Sequence, residues 1–150
     1  MSRSDNCPGE FTERLHSMIT ETSRLSEYTS ARAFSPTVNR LIEVLEAAGM
    51  KIFARIDHAA GAHEVGLVMP PMVLLVYGHP KGGTPIMLAA PQAGLELPLR
   101  VLVREDGDGS TRILFHPIGP LLREIGVPEE LAGRLEPAQR ILLEALNSIE

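Results

Sequence analysis

The chain carries a single cysteine, Cys7, so no disulfide can form within it, and an oxidised scaffold held by cross-links is not supported. It also lacks any uninterrupted apolar run of the roughly 18 to 20 residues that a spanning helix needs, because Gly, Pro, His and Lys repeatedly cut its richest region. Met1 to Glu10 is polar and has no secretory-type apolar stretch. Basic charge is short as well: 14 Lys and Arg stand against 19 Asp and Glu, and the net charge of -5 repels phosphate backbones at long range. These deficits lead to the expectation of a cytoplasmic protein that partners neither nucleic acid nor membrane.

What is present suits one ordinary globular unit. At 150 residues the chain can bury one substantial core. Residues 1–23 read as a leader with a short helix, since Phe11, Leu15, Met18, Ile19 and Thr22 share an i, i+4, i+7, i+8 face. Residues 24–150 read as the domain, closed by a C-terminal helix. A strand is predicted near Arg24 to Phe34, and Ser35-Pro36 then offers a capping hydroxyl followed by proline in the first helical turn. Val38, Leu41, Ile42 and Leu45 share one helical face, and Gly49 suits the left-handed residue that ends such a helix.

Met50 to Asp57 alternates as a strand, with Ile52, Ala54 and Ile56 on one side and Phe53 and Arg55 on the other. Ala59 to Pro71 has room for a helical turn. Met72 to Tyr77 is almost continuously apolar, which predicts the middle strand of the sheet, buried on both faces. Thr84-Pro85 repeats the cap-then-proline signal for a helix through Ala90, which Pro91 ends. Leu97 to Glu105 and Thr111 to Phe115 form a hairpin through Asp106-Gly107-Asp108-Gly109. From Pro117 onward Leu131, Leu135, Leu142, Ala145, Leu146 and Ile149 recur at helical spacing, punctuated by Pro128 and Pro137. The order predicts an α+β sandwich with an antiparallel-rich sheet, helices on one face, and one β-α-β crossover between Met72 and Glu105.

One stretch has the parts of a site. In Gly78-His79-Pro80-Lys81-Gly82-Gly83-Thr84 a buried strand ends, glycines expose amides, a lysine adds charge and a helix begins, which together attract anions. It is not a P-loop, because Lys81 precedes the paired glycines and the spacer is short. Asp57 and His58 cannot form a simple dyad on one strand, where neighbours point to opposite faces. Their strand end is expected near the Lys81 loop if their strand and the next are antiparallel neighbours; otherwise Asp57 caps the following turn and His58 is a boundary residue.

Other chemistries find less support. His58, His63, His79 and His116 with Glu64 lack metal-ligand spacing, so no metal or other cofactor is expected. Asp106 to Ser110 mimics a calcium loop, yet Thr111 stands at its sixth position and Pro117 at its twelfth. Cys7 lies in the leader and no Gly-x-Ser-x-Gly elbow exists, which leaves covalent catalysis without a nucleophile. Met69, Met72 and Met87 are read as core, or as the wall of an adaptable pocket beside the loop.

Three phrases carry a family resemblance: Ile56-Asp57-His58-Ala59-Ala60-Gly61-Ala62, Tyr77 through Pro85, and Leu97 through Asp106. Over roughly Leu25 to Val127 the chain resembles the bacterial family DUF302, a domain of unknown function. Family sequences read Gly-Asn-Pro-Lys then Gly-Thr at the loop; Gly78, Pro80, Lys81, Gly83 and Thr84 match, and His79 departs by replacing the asparagine. The resemblance implies a TATA-binding-protein-like α+β fold and no catalytic residues. The leading expectation is a module binding a small anionic or polar molecule, with Lys81 as charge, Gly82 and Gly83 as amide donors, and Asp57, His58, His79 and Thr84 around it. The alternatives are an enzyme using His58 or His79 as general base with Lys81, and a homodimeric interaction protein.

Overall fold

The computed structural model describes residues 25–147, and the leader, its helix and Ile149 lie outside the described residues. Strands β1 (Ser26–Ser30), β2 (Lys51–Asp57), β3 (Met72–Gly78), β4 (Leu99–Glu105) and β5 (Thr111–Phe115) form a five-stranded sheet in the order β1-β5-β4-β3-β2. Every neighbouring pair is antiparallel. The fold is α+β, as expected, but the middle strand and the crossover differ from the expectation. β4, not β3, is the middle strand. β3 and β4 are antiparallel neighbours, so Met72 to Glu105 is no crossover; the crossover is β1-helix-β2, whose two strands run parallel at opposite edges. Sequence order cannot reveal this, because a helical connection joins parallel and antiparallel strands alike.

The first helix, α1 (Phe34–Ala47), starts one residue ahead of the Ser35-Pro36 signal and has no side-chain cap at Ala33. Thr37 ties the entry instead: its hydroxyl donates to the Ala33 carbonyl at 2.8 Å and lies 2.8 Å from the Ser30 hydroxyl. Gly49 ends the helix at φ +82°, in the left-handed region where only glycine escapes a Cβ penalty. After β2 comes α2 (His58–Glu64), then α3 (Pro80–Ala89), a 3-10 turn (Pro91–Leu95), α4 (Ile118–Glu124), α5 (Glu129–Ala132) and α6 (Glu136–Asn147). The single terminal helix of the expectation is thus three, broken where Pro128 and Gly133 stand.

The core lies between one sheet face and helices α1 and α6. Val73, Leu75 and Tyr77 of β3, Val101 and Val103 of β4, and Ile113 of β5 are almost wholly buried with Val38, Leu41, Leu45 and Leu142. The opposite face is only partly covered, since burial along β3 alternates strictly. β3 therefore differs from the expected strand buried on both sides; its continuous apolar run supplies Leu74 and Val76 to the open face. In β2 the register slips between Ile52 and Ala54, so Ile52 opposes Tyr77 while Ala54 and Ile56 oppose Val76 and Leu74. The bulge breaks the alternation expected for β2 and leaves Phe53 exposed at the sheet edge.

Tyr77 links sheet to helix. Its hydroxyl donates to the Ala138 carbonyl of α6 at 3.3 Å, and burial pushes the phenol well above its ordinary range. Below a pH of about 10, where an unfolded phenol titrates, the tyrosine is neutral in both states and its full contribution is present. Above that value the unfolded chain ionises while the folded chain keeps the proton, so stability falls as pH rises, by up to about 1.4 kcal/mol per pH unit. Urea denaturation from about pH 9 to 11 is expected to show a steeper loss for the wild type than for Tyr77→Phe. Parallel slopes would contradict a retained proton.

Candidate functional site

The Gly78–Thr84 stretch folds differently from its cap-and-proline reading. α3 begins at Pro80, four residues before Thr84-Pro85, and His79 is the N-cap. The cause is local: His79 is extended, at φ -143° and ψ 134°, Pro80 is preset for the first helical position, and His79 Nδ1 accepts the Lys81 backbone N–H at 3.0 Å. Thr84 is an exposed residue inside the helix rather than its cap, and Pro85 sits within the helix.

This start consumes the amides assigned to an anion. The N–H groups of Gly82 and Gly83 both donate to the His79 carbonyl, at 3.0 and 3.3 Å. Pro80 has no N–H, and that of Lys81 is held by the imidazole. The helix start therefore offers no free backbone donor in its first turn, and the role of Gly82 and Gly83 as amide donors is set aside. In a neutral His79 the occupied Nδ1 leaves the proton on Nε2, which makes the ring a hydrogen-bond donor outward and not a ready general base.

The glycines create space instead. A cleft of about 650 Å³ opens at this corner, lined by His79, Lys81, Gly82, Gly83 and Thr84. Its other walls come from Met50 just before β2 and Phe53 within it, Met87 of α3, Leu97 and Pro98 before β4, Arg134 and Leu135 at the α5–α6 corner, and Ile141 of α6. A Cβ on Gly82 would lie 3.0 Å from Leu135 Cδ2, tighter than ordinary packing, whereas one on Gly83 would project beside Leu97 and Met87 at 3.6 and 3.7 Å. Side chains at these positions would crowd or fill the cleft floor.

Asp57 and His58 do not join it. β2 and β3 pair with Lys51 opposite Gly78 and Asp57 opposite Val73, so Asp57 stands six residues along, about 20 Å away at the usual strand rise. The condition of antiparallel neighbours is met, but antiparallel pairing brings the Asp57 end of β2 to the start of β3 and not to its Gly78 end. Asp57 is the N-cap of α2, accepting the Ala60 N–H at 2.8 Å, and His58 is the exposed first residue of that helix. Of the methionines considered, Met87 lines the cleft, Met72 belongs to β3, and Met69 is not among the lining residues.

Sequence reading missed Arg134, Phe53 and Met50, which approach the loop only through tertiary contacts. Lys51 adds charge at the same corner, its ammonium 5.6 Å from the Phe53 ring centroid. Among the described residues no carboxylate lines the cleft. Among the described residues neither Lys81 nor Arg134 forms an ion pair, whereas Arg123 and Arg140 nearby engage Glu129 and Glu136. In a chain with an excess of acid, this corner is locally cationic.

A family model described as domain of unknown function DUF302 matches residues 26–149. The fold is similar to the crystal structure of an uncharacterised conserved DUF302 protein from Bacillus stearothermophilus, with TM-score 0.71, 22% identity, and coverage of 84% of this chain and 98% of that one. Among curated relatives, the fluoride-specific ion channel FluC 1 of Brucella suis biovar 1 is 40% identical over 87 residues, 58% of this chain and 34% of that protein. FluC 2 of Brucella melitensis biotype 1 matches at 40% over 87 residues, 58% of this chain and 32% of its own length. The chain thus spans about a third of the channels it matches. No helix among the described residues is long and apolar enough to cross a membrane.

Proposed function

The chain belongs to the DUF302 family, which supplies a fold without a chemistry, and from the cleft itself we propose that the protein binds a small anionic molecule beside Lys81. One observation carries the reading: among the described residues the cleft admits two cationic side chains, Lys81 and Arg134, and no acid. An anion entering it meets attraction without a competing carboxylate, and partial exclusion of water strengthens that attraction. His79 contributes an Nε2–H donor in its neutral form, and the glycines contribute volume.

Thermal-shift and calorimetric titration with small carboxylates and phosphates tests the reading. Lys81→Ala is expected to weaken the best ligand by about tenfold or more, the usual worth of a charge-assisted hydrogen bond. Because Lys81 is exposed, the variant should keep the melting temperature of the free protein. Ligand affinity unchanged in both Lys81→Ala and Arg134→Ala would remove the cleft from consideration.

A second reading concerns partners and is favoured by the likeness to proteins named fluoride channels. It takes this chain as the counterpart of the segment it matches in them, working beside a channel polypeptide. Exposed Val65, Leu67 and Val68, the last 96% exposed, then form the docking edge. Fluoride itself fits the cleft poorly, because a small, strongly hydrated ion gains little from apolar walls. Co-purification with a fluoride channel in detergent, lost in Val68→Asp, supports this reading. A doubled mass without the channel would favour the homodimer, and a monomer that ignores the channel would overturn both.

A further inference from the structure

Resting on the cleft as an anion site, we propose that its ligand is an amphipathic monocarboxylate, with a single carboxylate head and an extended apolar body. The polar side chains of the cleft are His79, Lys81 and Thr84 from the first half of α3 and its cap, and Arg134 from the α5–α6 corner. The remaining wall is formed by Met50, Phe53, Met87, Leu97 and Ile141, drawn from four separate parts of the chain. Such a division fits a molecule that is charged at one end and oily along its length.

Size points the same way. A space of about 650 Å³ far exceeds inorganic phosphate or acetate and falls within the range that holds a whole organic ligand. Phosphate would also want several converging amide donors, as in anion-binding loops, and those of the first turn of α3 are already spent on the cap and on the His79 carbonyl. The two oxygens of one carboxylate can be met by the lysine and the arginine together, whereas the further oxygens of a phosphate would face apolar walls without donors. Two methionines in the wall adapt to bodies of different shape, so a class of acids, not one compound, is the expected ligand set.

Isothermal titration of the full chain with acetate, hexanoate, octanoate, decanoate, octan-1-ol and inorganic phosphate tests this, with each amphiphile kept below its micellar concentration. Affinity is expected to rise about two- to fourfold per methylene along the acids until the cleft is full, then to level off. Octanol should bind at least tenfold more weakly than octanoate, and Lys81→Ala combined with Arg134→Ala should bring octanoate down to octanol. Phe53→Ser should weaken octanoate and leave acetate unchanged; Phe53 is 44% exposed, which makes the fold tolerant of the change, and Met87→Ser provides an independent check of the wall.

A flat dependence on chain length, or phosphate bound as tightly as octanoate, overturns the amphipathic class while the anion site stands. Octanol equal to octanoate overturns the carboxylate head. Failure of every anion in the series, long or short, sinks the anion site as well.

Discussion

Truncating Leu75 to alanine is expected to lower the unfolding free energy by about 2–5 kcal/mol, the cost of a buried cavity plus lost transfer energy. Leu75 is fully buried in β3, opposite Val101 of β4 and Arg55 of β2, on the sheet face that meets α1 and α6. With total stabilities of about 5–15 kcal/mol for domains generally, that loss is a large share. The adjacent Leu74 opposes Leu102 and Ile56 on the partly open face, and Leu74→Ala is expected to cost less, about 1–2 kcal/mol, because part of its surface stays in water and the space left by truncation opens to solvent. Urea denaturation of the two variants reads the asymmetry of the sheet directly. Equal losses would mean that both faces are covered in solution, by a partner or a further part of the chain.

Gln139→Leu is expected to cost about 2–5 kcal/mol, because it abandons two hydrogen-bonding groups at once. The Gln139 side chain, itself buried, accepts the Ile118 N–H at 2.9 Å through Oε1 and donates to the His116 carbonyl at 2.8 Å through Nε2. It thus caps α4, whose N-cap position, Pro117, offers no side-chain acceptor, and pins the end of β5 to α6. Leucine fills nearly the same volume, so the loss reports the unpaired polar groups and not a cavity. Hydrogen exchange at the Ile118 amide should accelerate in the variant beyond the change in global stability. Wild-type stability and exchange would show that water satisfies both groups.

The hairpin at Asp106–Ser110 was legible because its determinants are local. Asp106 N–H donates to the Ser110 carbonyl at 2.8 Å and Gly109 takes φ +81°. Gly49 was legible for the same reason, and so was the strand character of Met72–Tyr77 and the family to which its phrases point. The start of α3 was also local, yet it was misplaced: two cap-like positions, His79-Pro80 and Thr84-Pro85, compete within seven residues. The earlier one prevails because His79 is extended and its imidazole supplies the acceptor. A serine-or-threonine rule does not see a histidine cap.

The chain alone therefore determined which segments extend, which coil, and that a glycine-rich corner with Lys81 follows an apolar strand, since backbone preference and short-range capping act within a few residues. The tertiary structure alone decided that β1 and β5 are partners, that Lys51 and not Asp57 adjoins Gly78, and that Phe53, Arg134 and Ile141 wall the corner. Strand pairing depends on hydrophobic burial, a non-directional force that rewards many distant contacts at once. For that reason the lining of the cleft cannot be read from any one stretch of residues.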